Sequence, residues 1–187
     1  MISPVAETEY DRFFDTLMLA FAADPCERWL YPSASTYLAQ FPLFLRAFGG
    51  ADGRLWQVDD FAAVAFWLAP GTPVDGDSIA AVLTASVPAD RHADTFAVLD
   101  QMAAAHPDYP HWYLPWLGVD PARQGRGLGA DLLAQCLRIV DADRVPAYLE
   151  TPNPRTVPFY QRHGFEVVAT AQAGACPPLA CMLRAAA

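Results

Sequence analysis

Residues Gln124-Gly125-Arg126-Gly127-Leu128-Gly129 decide how the rest of this chain is read. They follow an apolar, strand-like run, Trp112-Tyr113-Leu114-Pro115-Trp116-Leu117-Gly118-Val119, and precede a helical pattern that starts near Gly127. Three glycines in five positions remove the Cβ atoms that would keep a ligand away from the backbone. The helix start that follows aims unsatisfied N–H groups and a positive dipole end at the same place. The combination predicts an anion cradle suited to phosphate or pyrophosphate.

Three phosphate-binding patterns compete for this stretch. A Walker loop requires Lys-Ser or Lys-Thr after its last glycine, and Ala130-Asp131 stands there instead. Gly125, Gly127 and Ala130 fit the Rossmann glycine fingerprint, and Glu150 lies about 20 residues on, where a ribose-binding acid belongs. That fingerprint, however, follows its strand directly, whereas Asp120–Gln124 intervene here. It also comes too late in a chain of 187 residues to leave room for a doubly wound sheet. The third pattern, Gln/Arg-x-x-Gly-x-Gly/Ala, is met by Gln124, Gly127 and Gly129.

This third pattern is the acyl-CoA pyrophosphate loop of the GNAT N-acetyltransferases, which the sequence resembles. The likeness extends to Leu117–Pro121 as the end of a central strand and its turn. It continues through Pro146-Ala147-Tyr148-Leu149-Glu150-Thr151 as the next strand. Asn153–Val167, with Phe159-Tyr160 and Gly164-Phe165, is similar to the family's closing helix and strand. The stretch from Trp112 to Val167 looks most like the puromycin N-acetyltransferase branch. The resemblance implies an α/β GNAT acyl-CoA N-acyltransferase fold: a mixed, mostly antiparallel sheet with helices on both faces and a splayed central pair of parallel strands. The arms of the splay would end at Val119 and Thr151. One domain, 1–187, is expected, with 1–110 mainly on the acceptor side and 111–187 on the acetyl-CoA side.

The element pattern along the chain is consistent with that class. A short strand (2–5), a helix (8–22) ended by Asp24-Pro25, and an aromatic connector at Trp29–Pro32 come first. A helix (35–48) follows, kinked or divided at Pro42 and stopped by Gly49-Gly50. Strands at 54–58 and 62–68 form a hairpin around Asp59-Asp60. Helices at 77–87 and 89–105 are split at Pro88, and a rigid loop (106–110) leads to the central strand (111–119). In the helix at 127–141, Leu128, Leu132, Leu133, Cys136, Leu137 and Val140 mark a buried stripe. A strand (146–151), a helix (155–163) and two strands (165–172 and 179–184) complete the chain.

The resemblance implies direct acetyl transfer from acetyl-CoA, as co-substrate, to a primary amine of a small molecule in a ternary complex. Leu117, Gly118, Val119, Gln124, Gly125, Arg126, Gly127, Leu128, Gly129 and Ala130 are the implied cofactor contacts, joined by Asn153 and Thr156. A backbone N–H within Leu117–Val119 would face the thioester carbonyl. Tyr160 is the candidate acid for the departing thiolate, because an unperturbed phenol titrates near 10 and a thiol near 8.5. Glu150 is a candidate base at the end of a strand lining the splay, and His111 is a second; His106 and His163 rank below it. No metal is expected. Trp29, Tyr31, Phe41, Phe44 and Trp67 are candidate walls of an apolar acceptor pocket. A protein or peptide N-acetyltransferase of the same fold, and a non-catalytic acyl-CoA-binding module, are the alternatives.

Composition narrows the partners. Apolar residues make up 53% of the chain, which argues for a compact globule rather than disorder. A net charge of −9 disfavours nucleic acid and is compatible with a cationic acceptor. Cys26, Cys136, Cys176 and Cys181 form neither a Cys-x-x-Cys pair nor a zinc-like array. Glu7, Glu9, Asp11 and Asp15 interrupt the apolar residues of the N-terminus, so no secretory signal is expected. No run has the length of a membrane span, and the expected location is cytoplasmic. A homodimer is left open.

Overall fold

The computed structural model describes residues 1–48 and 53–186. The expected helix stop at Gly49-Gly50 lies outside the described residues. Seven strands, β1 (Ser3–Pro4), β2 (Arg54–Val58), β3 (Ala63–Leu68), β4 (Trp112–Val119), β5 (Ala147–Thr151), β6 (Glu166–Ala171) and β7 (Leu179–Arg184), form one sheet in the order β1-β2-β3-β4-β5-β7-β6. Every neighbouring pair is antiparallel except β4 and β5. The fold class implied by the resemblance is the one observed: a mostly antiparallel sheet with one central parallel pair. A doubly wound Rossmann sheet is excluded by the same pairing.

Strand alternation divides the interior in two. On β3, Val64, Phe66 and Leu68 enter one core cluster while Ala63, Ala65 and Trp67 enter the other. The first cluster receives α1 (Tyr10–Ala20), α2 (Pro25–Leu30), α3 (Ala34–Ala47), α4 (Gly76–Ser86) and α5 (His92–Ala105). The second receives α6 (Leu128–Val140) and α7 (Val157–Gln161). Leu132, Leu133, Cys136, Leu137 and Val140 are the buried stripe of α6. Each such fully buried aliphatic side chain contributes roughly 1.5–3 kcal/mol.

Two expectations change. Asp24-Pro25 starts a helix as well as following one: the Asp24 carboxylate accepts from the amides of Cys26 (2.9 Å) and Glu27 (3.3 Å), and Pro25 occupies the first helical position. Much of the supposed aromatic connector is therefore helix α2. Pro42 sits inside α3 without dividing it, since Ser33 caps a helix that runs unbroken to Ala47. In the β2–β3 hairpin, Asp59, Asp60 and Phe61 all take positive φ, at 53°, 56° and 66°. The turn is held by Phe61 N–H to Gln57 Oε1 (3.0 Å) and Thr16 Oγ1 to the Phe61 carbonyl (2.9 Å).

Candidate active site

The parallel pairing of β4 with β5 is short. It comprises Trp112 with Ala147 and Tyr113 with Tyr148, and no register continues beyond it although both strands do. On its other side β4 is laddered to β3 through Val119, with a bulge between Phe66 and Leu68. Among the described residues, the edge of β4 that faces β5 is thus without a strand partner from Leu114 onward. This is the expected splay, and Leu117, Gly118 and Val119 line the cavity that opens in it. Gly118 lets α1 lie against β4: a Cβ there would meet Ala20 Cβ at 2.9 Å and Leu17 Cδ2 at 3.0 Å.

One end of the cavity is the glycine loop. Gly127 caps α6 with φ 81°, and Gly125 has φ 74°, conformations that side chains rarely adopt. A Cβ at either position would meet nothing within 4 Å, so the space beside them is open to a ligand. The first hydrogen bond at the start of α6 runs from Asp131 N–H to the Gly127 carbonyl (3.0 Å), which leaves the amides of Leu128, Gly129 and Ala130 at the free end of the helix. Gly129 packs that end close to β4, where a Cβ would sit 3.1 Å from Val119 Cγ2. Gln124 Nε2 donates to the Val119 carbonyl (3.1 Å), tying the loop to the strand end. Arg126 is exposed at the loop tip. A diphosphate fits this cradle by charge and by room.

The other end is walled by side chains from five helices. The cavity as a whole has a volume of about 700 Å³. Of the expected acceptor aromatics, Trp29 and Phe44 line it. Tyr31 and Phe41 are fully buried behind the wall, and Trp67 belongs to the opposite core, edge-on to Trp112. Trp116 is the aromatic centre that the sequence reading left out. It packs edge-on against Phe21, Phe41, Phe44 and Phe48, and its buried Nε1 has no hydrogen-bond partner among the described residues.

Glu150 comes from the side of the splay. Strand alternation sends it, with Tyr148, toward the face covered by α1 to α5. Its side chain is 4% exposed, and Oε1 has no hydrogen-bond partner among the described residues. Burial pushes its pKa up to about 7; the phenols of Tyr113 and Tyr148, which face the carboxyl, offset part of that rise. His106 Nε2 stands 3.6 Å from Glu150 Oε1. His106 Nδ1 is 3.1 Å from His111 Nε2, and His111 Nδ1 is 2.8 Å from the Tyr109 carbonyl. A carbonyl only accepts, so His111 carries its proton on Nδ1 and accepts on Nε2. His106 then donates from Nδ1 and presents a bare Nε2 to Glu150. Burial first, and His111 second, bring the His106 pKa down to about 4, so it is neutral at pH 7. Neither histidine lines the cavity; His111 connects to the cavity-lining Glu150 only through His106. His163 lies elsewhere, its Nδ1 on the Phe159 carbonyl (2.9 Å).

Tyr160 lines the cavity from α7, 8% exposed, with its ring edge-on to Phe159 and Phe165. Burial raises its pKa and the charge of Asp24 adds to the rise, so the phenol keeps its proton. Asn153 and Thr156 line the same region. Asn153 Oδ1 accepts from Arg155 N–H (3.1 Å), while Thr156 Oγ1 donates to the Asn153 carbonyl (2.8 Å) and lies 2.6 Å from Thr151 Oγ1. Thr156 thus closes the turn after β5. Glu27 and Asp24 also line the cavity, 4% and 8% exposed. The sequence reading missed them because nothing in their spacing marks a buried carboxyl. Among the described residues no group of three or more His, Cys, Asp or Glu is gathered to hold a metal ion. Nor is any helix among them long and apolar enough to cross a membrane.

Comparison with known proteins agrees with this fold. Residues 39–165 match the model of the acetyltransferase (GNAT) family. An uncharacterized N-acetyltransferase of Schizosaccharomyces pombe is 23% identical over 180 residues, covering 86% of this chain and 68% of its own length. A mycothiol acetyltransferase of Beutenbergia cavernae is 42% identical over 76 residues, 39% of this chain but only 26% of that protein. Among solved structures, one described as histone acetyltransferase HPA2 and related acetyltransferase, from Corynebacterium glutamicum, superposes with a TM-score of 0.71. It is 22% identical, with 100% of this chain and 96% of the other covered.

Proposed function

The chain belongs to the GNAT acetyltransferase family, and from that premise we propose that it transfers an acetyl group from acetyl-CoA to a primary amine of a small molecule. The observation that carries the reading is the buried Glu150 carboxyl, facing His106, Tyr113 and Tyr148, at the side of an aromatic-walled cavity that reaches Gln124 and Gly129 of the glycine loop. Acetyl-CoA supplies an activated thioester. The cradle at Gly125–Ala130 binds its diphosphate, and the unpaired edge of β4 is free to pair with the extended arm as an added strand would. A backbone amide within Leu117–Val119 stabilises the carbonyl oxygen as it gains negative charge.

Glu150 takes a proton from the acceptor ammonium, directly or through one water. A carboxylate titrating near 7 is only about one unit below an α-amino group, and about three below an alkyl ammonium. The amine nitrogen then bonds to the acyl carbon as the carbon–sulfur bond breaks; Tyr160 gives its proton to the thiolate and is reprotonated by the proton that the new amide nitrogen sheds, directly or through water. The proton on Glu150 passes to His106 Nε2, while the His106 Nδ1 proton moves on to His111 Nε2 and so toward the surface. The 3.6 Å first gap exceeds hydrogen-bond length and is bridged by water or a small ring rotation. The resemblance to the puromycin branch suggests an aminonucleoside or another aromatic amine, and the walls at Trp29, Phe44, Phe48 and Trp116 suit such a group.

The test is calorimetric titration with acetyl-CoA, with NADH and ATP as controls, followed by transfer assays on aromatic amines and on N-terminal peptides. Selective acetyl-CoA binding and faster transfer to the small amines are expected. Faster transfer to peptides would overturn the acceptor assignment. Binding without any turnover would leave an acyl-CoA-binding module.

A further inference from the structure

Asp24 and Glu27 both reach the cavity from α2, yet only one of them has a structural reason to be buried. Asp24 is the helix cap, satisfied by the amides of Cys26 and Glu27. Glu27 is 4% exposed and its Oε2 has no hydrogen-bond partner among the described residues. Arg28, next to it in α2, and Arg91, which touches Trp29 of the same helix, are engaged elsewhere. Arg28 donates to the Pro32 carbonyl (2.6 Å) and lies over the Tyr37 ring, while Arg91 donates to the Trp29 carbonyl and lies over the Trp29 ring. Among the described residues no ion pair includes Glu27. A buried carboxyl without a partner is costly, and the cost is relieved when a cation or strong donor enters beside it.

The rest of the neighbourhood sharpens the point. Leu30, Leu83, Val98 and the indole of Trp116 line the same cavity as Glu27, and the polar neighbour Asp24 is taken up by its cap. Burial, reinforced by the Asp24 charge, holds the Glu27 pKa well above the usual carboxylate range, and an ammonium placed beside it would draw that pKa back down. A ligand that is already anchored elsewhere in the cavity and carries its own ammonium supplies the missing charge in place.

We infer that Glu27 is the acceptor-recognition carboxyl, binding a second protonated nitrogen of a substrate whose first nitrogen is acetylated beside Glu150. This rests on the small-amine reading and names the substrate class within it: a diamine, one nitrogen deprotonated for attack and the other kept as a cation. The two carboxyls have opposite tasks. Glu150 removes a proton from the reacting nitrogen, and Glu27 keeps one on the nitrogen that does not react.

Straight-chain 1-aminoalkanes and α,ω-diaminoalkanes, matched in length from butyl to octyl, test it. At the best-fitting length the diamine is expected to exceed its monoamine by about tenfold or more in kcat/KM, as a charge-assisted hydrogen bond provides. In Glu27→Gln that ratio falls toward one through the diamine KM. Glu27→Met, which fits the apolar wall, is expected to reverse it. A ratio near one in the unaltered protein, or one that survives in either folded variant, would overturn the assignment. The same amines are titrated calorimetrically into the protein–CoA complex, where no transfer occurs. Glu27-dependent diamine binding without acetylation in the kinetic assay would keep this site and remove the transferase reading. Acetylation of monoamines and diamines alike would do the reverse.

Discussion

At the glycine-loop end of the cavity the groups on offer are backbone amides; at the other end they are side chains drawn from five helices and two strands. The first end is written in one consecutive stretch, Gln124–Ala130, and needs only positive φ at Gly125 and Gly127 and a helix to follow. The second is assembled from Glu27, Phe44, Val98, Trp116 and Glu150, which are scattered over the chain and meet only when the sheet is covered. A site made of backbone holds a ligand common to a whole family. A site made of side chains is free to differ from one member to the next.

Breaking the side-chain end is expected to have the largest effect. Glu150→Gln lowers kcat by about a hundredfold to a thousandfold, the range for loss of a general base. The pH–rate profile of the unaltered protein rises through about pH 7, and this inflection disappears in the variant. The same group shapes stability. Its folded pKa is raised above the ordinary 4.5, so the unfolded chain releases its proton first as pH rises. The native state is therefore progressively disfavoured between about pH 4.5 and 7, and Glu150→Gln abolishes that loss, which thermal melts across this range will detect.

Breaking the backbone end should act on binding instead. Gly127→Glu forces a side chain into a left-handed position, at about 1–2 kcal/mol, and sets a carboxylate against a phosphate. A weakening of acetyl-CoA affinity by about a hundredfold is expected in calorimetry; unchanged affinity would move the cofactor away from this loop. Tyr160→Phe sits between the two ends. It is expected to cost about tenfold to a hundredfold in kcat, with acetyl-CoA affinity preserved. His106→Gln gives the smallest change, less than about tenfold in kcat, and added imidazole should restore it. A His106 variant as impaired as Glu150→Gln would mean that the histidine is itself the base.

The same division explains what could be read in advance. The β4–loop–α6 unit and the Tyr160 helix were legible because each is a local pattern with a local physical cause, whereas the splay was expected from the family resemblance alone. The short helix α2 had a signal as well, an Asp cap followed by Pro at the first helical position, and it was overlooked behind the reading of Pro25 as a terminator. Trp67 and Phe41 could not be assigned from composition, because strand register alone sends Trp67 to the α6 face, and packing alone sets Phe41 behind the wall. The contact of His106 with Glu150 joins a loop to a strand 44 residues away in sequence, and that of Glu27 with the cavity depends on α2 docking. No spacing rule encodes either.

A sheet is ordinarily hardest to open at its middle, yet here two pairs of residues are all that join β4 to β5. The amides along the unpaired edge of β4 should therefore exchange with solvent deuterium far faster than those laddered to β3, despite lying at the centre of the molecule. A bound ligand arm that supplies the missing ladder would slow them and raise the melting temperature together, because it binds only the folded chain. The gap makes the protein's own rigidity conditional on being loaded.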